Sequence, residues 1–300
     1  MLRLFALCAL LLSASCSPNP PVVSSPLTPT PGESTHVVAA APIPPSSSQP
    51  SPTDALKTPE TPERHNPQPI VNQKILPLAY HRSERNSVIL SMVHFDGRKH
   101  QLRVADQQNG PGSRWMTAKD AAATYGGLAA INGGFFTPEG KPLGLLVETG
   151  SRRGHLNKSS LGAGVFISTH DRAVIVRRET YQKTANSWNT QNLLQTGPML
   201  VENSRIVSGL SKDKPRPRSF IAWDGNHHWA IGHTTASSLD QLARALANQS
   251  TAGFKVRTAV NLDGGRSSDL WVGGNVRGGG KSHRGFLNKP VRNYLILINR

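Results

Sequence analysis

From residue 74 onward, apolar positions come in short runs separated by Gly, Pro, Asn and Asp. The runs are "KILPLAY" from Lys74, "SVILSMVHF" from Ser87, "HQLRVA" from His100, "GLAAIN" from Gly127, "LGLLVET" from Leu143 and "GAGVFIS" from Gly162. They continue with "RAVIVRR" from Arg172, "PMLVEN" from Pro198, "SFIAWD" from Ser219, "HHWAIGH" from His227, "TAVNLD" from Thr258 and "NYLILIN" from Asn293. Runs of this length, rich in β-branched residues and bounded by turn formers, predict strands. Two segments carry helical signals instead. "TAKDAAATY" opens at Thr117 with Thr-x-x-Asp, a capping-box pattern ahead of helix-favouring alanines. "SLDQLARALANQ" opens at Ser238 with Ser-x-x-Gln and sets Leu239, Leu242, Ala243 and Leu246 on one face. The pattern predicts an α+β domain: a mixed, mainly antiparallel sheet system with a few packed helices.

The N-terminal quarter reads differently. Residues 1–16, "MLRLFALCALLLSASC", place one positive charge before an apolar stretch too short to span a bilayer, then small residues ending at Cys16. This is an export signal. Leu12 to Cys16 resembles a lipobox with Ser where Leu is commoner, so Cys16 is a candidate lipidation site, while Ser13 and Ser15 also suit ordinary signal peptidase. The expected location is therefore a membrane-anchored lipoprotein facing the periplasm, or alternatively a soluble periplasmic or secreted protein. Cys8 lies in the removed segment, which leaves the mature chain without an intramolecular disulfide. Residues 17–73 hold 15 of the 23 prolines, with many Ser and Thr. That composition buries too little apolar surface to offset the entropy of ordering, so it predicts a disordered tether ahead of one folded domain, 74–300.

Charge narrows the partners. The expected domain holds 31 of the 34 Lys and Arg against 14 of the 18 Asp and Glu, a net charge of +17. Such a field draws anions. An export signal removes the chain from most nucleic acid and no recognition motif appears, so nucleic acid is not expected. A phosphorylated glycan or another anionic envelope polymer fits better. His227, His228 and His233 lack an H-x-x-x-H or carboxylate-rich spacing, so no metal site is assigned. The sequence requires no cofactor and leaves a divalent cation open. No G-x-S-x-G elbow supports a serine hydrolase.

The candidate chemistry sits at Gly-rich corners that end apolar runs. In "NLDGGRSS" Asp263 leaves a buried run at the rim of a sheet, where rigid backbone holds a side chain against a ligand. Gly264 and Gly265 admit close approach to the main chain, the Ser267 and Ser268 hydroxyls extend an amide nest for an anion, and Arg266 adds a fork-shaped cation. Asn132, Gly133 and Gly134 repeat the design with an amide, followed by Phe135 and Phe136 as a face for a sugar ring. Thr196 and Gly197 precede Pro198 at a third corner, and Arg218 enters a strand, which preorganises it for phosphate. Asp269 and Glu148 are candidate second carboxylates. Read alone, each corner is equally an ordinary turn.

The ordered set "NGGFF", "TGPMLV", "RPRSFIA", "NLDGGRSS" and "RNYLILI" resembles the phosphodiester glycosidase family, over roughly residues 75–300. The resemblance implies hydrolysis of a sugar C1–O bond in a sugar phosphodiester. On that basis Asp263 and Arg218 are the catalytic residues. Asn132, Gly133, Gly134, Thr196, Gly197, Gly264, Gly265, Arg266, Ser267 and Ser268 are expected at the substrate. Arg266 departs from the family pattern, which has a third glycine there. The rival reading is a noncatalytic envelope protein of the same fold that binds anionic glycans or cell-wall polymers.

Overall fold

In the run that opens with Ser87, Val93 and Phe95 pack into one apolar cluster while Leu90 and Met92 pack into another. A strand covered on both faces shows as a continuous apolar run instead of a polar alternation. That arrangement recurs through the computed structural model, which describes residues 76–85 and 87–300. The expected signal segment, Cys16 and the tether at 17–73 lie outside the described residues, as do Lys74 and Ile75.

Three sheets result. The first orders β1 (Ala79–Arg85), β2 (Val88–Asp96), β13 (His228–Ser237), β12 (Arg216–Trp223), β14 (Thr258–Asn261), β10 (Met199–Glu202) and β11 (Arg205–Ile206). The second orders β16 (Lys281–Arg284), β15 (Asp269–Val272), β4 (Ala129–Asn132), β17 (Asn293–Asn299) and β3 (His100–Asp106). In the third lie β6 (Ser151–Arg153), β5 (Leu146–Glu148), β9 (Asn192–Thr196), β7 (Gly164–Ser168) and β8 (Ala173–Arg177). These strands pair antiparallel, and the one parallel contact among the described residues is an isolated bridge between Ala79 and Arg277.

The inner faces meet in a shared core that takes Val93 and Ile221 from the first sheet, Ile131 and Leu295 from the second and Phe166 and Leu194 from the third. Each outer face is closed by a helix. α1 (Ala118–Thr124) sets Ala118, Ala121 and Ala122 against Tyr294 and Ile296 of the second sheet. Thr117 caps it and Asp120 completes the box. α3 (Leu239–Ala247) lays Leu242 and Leu246 on Leu90 and Phe220 of the first, with Ser238 and Gln241 forming its box. α2 (Arg178–Thr184) and the single turn α4 (Gln249–Ala252) show no apolar period in the sequence. α2 buries only Tyr181, against Val147 and Ile167 of the third sheet, so one side chain does what a stripe would otherwise announce. Among the described residues no helix is long and apolar enough to cross a membrane.

The chain crosses between sheets at the Gly-rich corners. β4 of the second sheet leads through Gly133 and Gly134 toward β5 of the third, β9 of the third leads through Gly197 to β10 of the first, and β14 of the first leads through Asp263 to β15 of the second. The sequence reading takes these as separate hairpin corners. They are the joints of one three-sheet assembly.

Candidate active site

The three crossovers bond to one another. Asp263 N–H donates to the Gly133 carbonyl at 3.0 Å, and Asn132 Nδ2 donates to the Asp263 carbonyl at 2.6 Å. Thr196 Oγ1 donates to the Asn261 carbonyl at 2.9 Å, while Asn261 Nδ2 donates to the Gly197 carbonyl at 3.0 Å. Asn132 is 0% exposed, and its Oδ1 accepts from Ser219 Oγ at 2.6 Å and from Asp269 N–H at 3.0 Å. Both ends of this amide are therefore spent on the joint. Thr196, Gly133, Gly134 and Gly197 are buried as well. Their absence of side-chain bulk or their short hydroxyl lets the backbones touch: a Cβ on Gly133 would collide with Asn293 Oδ1, and one on Gly197 with the Ser160 carbonyl. The bonds and close packing of these five residues brace the corner.

Asn293 is a residue the sequence reading leaves out of the site. Its carbonyl accepts from Gly133 N–H and its Oδ1 from Gly134 N–H, both at 2.8 Å. Its neighbour Arg292 is buried against Asp106, with guanidinium to carboxylate distances of 2.6 and 2.9 Å. A charged residue beside an Asn at a strand start carries no signal until the partner strand is known.

Asp263, Gly264, Gly265 and Ser267 are half-buried, and they line the corner at its surface. The Asp263 carboxyl is pushed up to about 6 by burial, against the opposing pull of hydrogen bonds from Ser267 and the Gly264 N–H. Gly264 lies against Arg218: a Cβ there would sit 3.5 Å from Arg218 Cδ and 3.7 Å from its Nη1. Arg218 Nε donates to the Ser237 carbonyl at 3.1 Å and Nη2 to the Lys214 carbonyl at 3.2 Å, which leaves Nη1, on the Gly264 side, without a hydrogen bond among the described residues. No carboxylate among the described residues pairs with this guanidinium. Burial, and then the Arg216 charge, hold its pKa below the ordinary arginine value, yet it stays a cation at neutral pH. Arg216 also reaches this corner, its Cδ lying 3.8 Å from where a Gly265 Cβ would stand.

Arg266 turns elsewhere. It is exposed, with Nε donating to the Leu287 carbonyl at 2.8 Å, so it ties the crossover to the 285–289 loop instead of reinforcing Arg218. Ser268 is buried, and its Oγ has no hydrogen-bond partner among the described residues, nor has Asn261 Oδ1. Asp269 is bonded to the Ala118 N–H and to Arg284, and Glu148 to Tyr125 with Arg153 nearby, so both expected second carboxylates serve the frame.

A histidine pair borders this region on the inner face. His233 lies opposite Ser219 and Ser91 in register. Its ring stacks on His283 at 5.6 Å, and Tyr80 also stacks on His283 at 5.7 Å with its hydroxyl 3.1 Å from His283 Nε2. Burial, then the His283 charge, push His233 down to about 4, and burial lowers His283. His233 is neutral at pH 7.

The sequence profile of the phosphodiester glycosidase family matches residues 125–298, more than half of the chain. The chain belongs to the phosphodiester glycosidase family. Among solved structures of similar fold, the zebrafish N-acetylglucosamine-1-phosphodiester alpha-N-acetylglucosaminidase catalytic domain, auto-inhibited by its pro-peptide, shares a TM-score of 0.52 at 18% identity. That match covers 77% of this chain and 85% of that one. A hypothetical protein from Synechocystis gives a TM-score of 0.51 at 16% identity, covering 74% of this chain and 61% of the other. Both likenesses concern the fold. The Escherichia coli (strain K12) protein called Uncharacterized protein YigE is 29% identical over 158 residues, which is 49% of this chain and 59% of that relative's length. The family match takes in the Asn132 and Asp263 crossovers and Arg218 alike.

Proposed function

We propose that the protein is an exported, lipid-anchored glycosidase that hydrolyses the C1–O bond of a sugar phosphodiester in an envelope or imported glycan. The observation that carries this reading is a guanidinium set against Gly264, with one edge free and no carboxylate partner among the described residues, next to a carboxyl raised to about 6. Arg218 binds the phosphodiester, with the Gly264, Gly265 and Ser267 surface beside it. Phosphate paired with arginine departs without a strong general acid. Asp263, ionised above pH 6, supports the oxocarbenium-like carbon as the C1–O bond breaks, and water supplies the new oxygen while its proton passes to solvent or to the released phosphate.

The test is turnover of UDP-N-acetylglucosamine and a panel of sugar-1-phosphodiesters by wild type, Asp263→Asn and Arg218→Ala, run in isotopically labelled water. Label in the sugar, with loss of turnover in both variants, supports the reading. Label in the phosphate, or full turnover in Asp263→Asn, overturns it. Binding across the panel without turnover supports the rival, a glycan-binding protein of this fold. The anchor rests on Cys16 alone: Cys16→Ser is expected to move the protein from the membrane to the soluble fraction, and unchanged fractionation removes that part.

A further inference from the structure

We infer that a cleft at the other end of strands β12 and β14 is a second ligand site, one that binds an anionic saccharide. β12 carries Arg218 near its start and Trp223 at its end, a separation of roughly 16 Å at the usual rise per residue. At the Trp223 end, Arg257 N–H donates to the Trp223 carbonyl at 2.9 Å, and a cavity of about 1060 Å³ opens beside it. Lys255, Arg257 and Arg277 contribute cations to its lining, and Asn203, Ser204 and Gln249 contribute amides and a hydroxyl.

None of the three cations makes an ion pair with a described residue. The one carboxylate in the lining, Asp224, is already engaged: it accepts from the N–H groups of Asn226 and His228 and lies 3.3 Å from the His228 ring. Arg257 is the best placed of them: its side-chain stem packs against Gly225 (φ +89°), where a Cβ would collide with it, and its carbonyl accepts from Ser204 N–H at 2.9 Å. A preorganised cation loses less freedom on binding than a mobile one does.

The rest of the lining selects the class of anion. Single-stranded nucleic acid is gripped by stacking on open aromatic faces, but Phe254 is 5% exposed. A membrane surface asks for a continuous apolar rim, whereas here Leu76, Pro77 and buried Phe254 share the lining with amides, a hydroxyl and three cations. Neutral hydrogen-bonding groups interleaved with cations match a hydroxyl-rich chain bearing carboxylate or phosphate. The cleft is large enough for several sugar units.

The full chain, titrated calorimetrically with tetragalacturonate and separately with a mannose-phosphate oligosaccharide, is expected to bind at least one of them. It is expected to bind neutral maltotetraose at least tenfold more weakly. Arg257→Gln with Arg277→Gln is expected to weaken binding at least tenfold, Lys255→Gln to act in the same direction, and Arg218→Ala to leave this event unchanged. Melting temperatures of the variants show whether the fold is kept, and the exposed Lys255 supplies the readout should the double variant be destabilised. Binding that survives the charge removals overturns the inference. So does binding that is lost with Arg218, an equal response to maltotetraose, or equal affinity for a single-stranded oligonucleotide. The site does not rest on the proposed hydrolysis: turnover failing on every phosphodiester leaves this titration intact, and the reverse holds too.

Discussion

Burial lifts the Asp263 carboxyl to about 6, against roughly 3.9 in an unfolded chain. The folded state therefore holds that proton more tightly. Stability from this group is full below about pH 4 and is lost as pH rises through 6. Asp263→Asn is accordingly expected to raise stability at pH 7 to 8 by roughly 1 to 3 kcal/mol in chemical denaturation, with the gain fading below about pH 4. A carboxylate that only fixed a turn would give a loss at pH 7 instead. The same variant is expected to lower turnover by about 10² to 10³, and wild-type rate to climb through pH 6. Gly133 makes a purely steric claim. Gly133→Ala drives a methyl group into Asn293 Oδ1, so it is expected to cost about 1 to 3 kcal/mol and to depress turnover by moving the Asp263 crossover. Unchanged stability in that variant would show that the corner yields. At this scale Asp263 and Arg218 were legible, because an acid and an arginine entering or leaving apolar runs stand out. The bracing role of Asn132 was not, since whether an amide faces a ligand or a backbone carbonyl depends on a strand distant in sequence.

Both helices that the sequence announces are capped as their first residues imply, Thr117 with Asp120 and Ser238 with Gln241. Ser238→Ala is expected to lower stability by about 1 kcal/mol in chemical denaturation. The neighbouring Ser237 carbonyl holds Arg218 Nε, so loss of the cap is also expected to raise KM for a phosphodiester, and an unchanged KM would show that the Ser237 backbone stays in place. Although β6, β9, β11, β15 and β16 fall outside the runs read from the sequence, most strand positions were legible because turn residues bracket apolar runs. Their partners were not: β14, between β12 and β10, draws on three distant parts of the chain, and antiparallel pairing leaves no local mark that names the neighbour. α2 escaped notice because a single buried Tyr181 makes no period.

Across the whole molecule the net charge is +16, and among the described residues clusters of cations without an ion pair lie at two separated places, Arg216 with Arg218 and Lys255 with Arg257 and Arg277. Association with an anionic substrate is expected to slow as ionic strength rises, seen as a fall in kcat/KM between 50 and 200 mM salt with smaller change in kcat at saturation. A rate indifferent to salt would detach the field from substrate capture. Arg266, the departure from the family pattern, takes its place here too. Facing Leu287, it shapes the loop beside the site without adding to the charge that meets the phosphate.

By itself the sequence determined the α+β class, the caps of two helices, the strand runs and the ordered motifs that mark the family, because each is written in residues close together along the chain. Only the tertiary structure decided that the Gly-rich corners are crossovers between three sheets, that Asn132, Thr196 and Asn293 hold them together, and that Arg218 lies against Gly264 with an edge free. Those facts depend on contacts between residues far apart in sequence. Burial works the same way: Asp263 acquires a carboxyl near 6 only when the surrounding strands remove its water, and no local sequence carries that information.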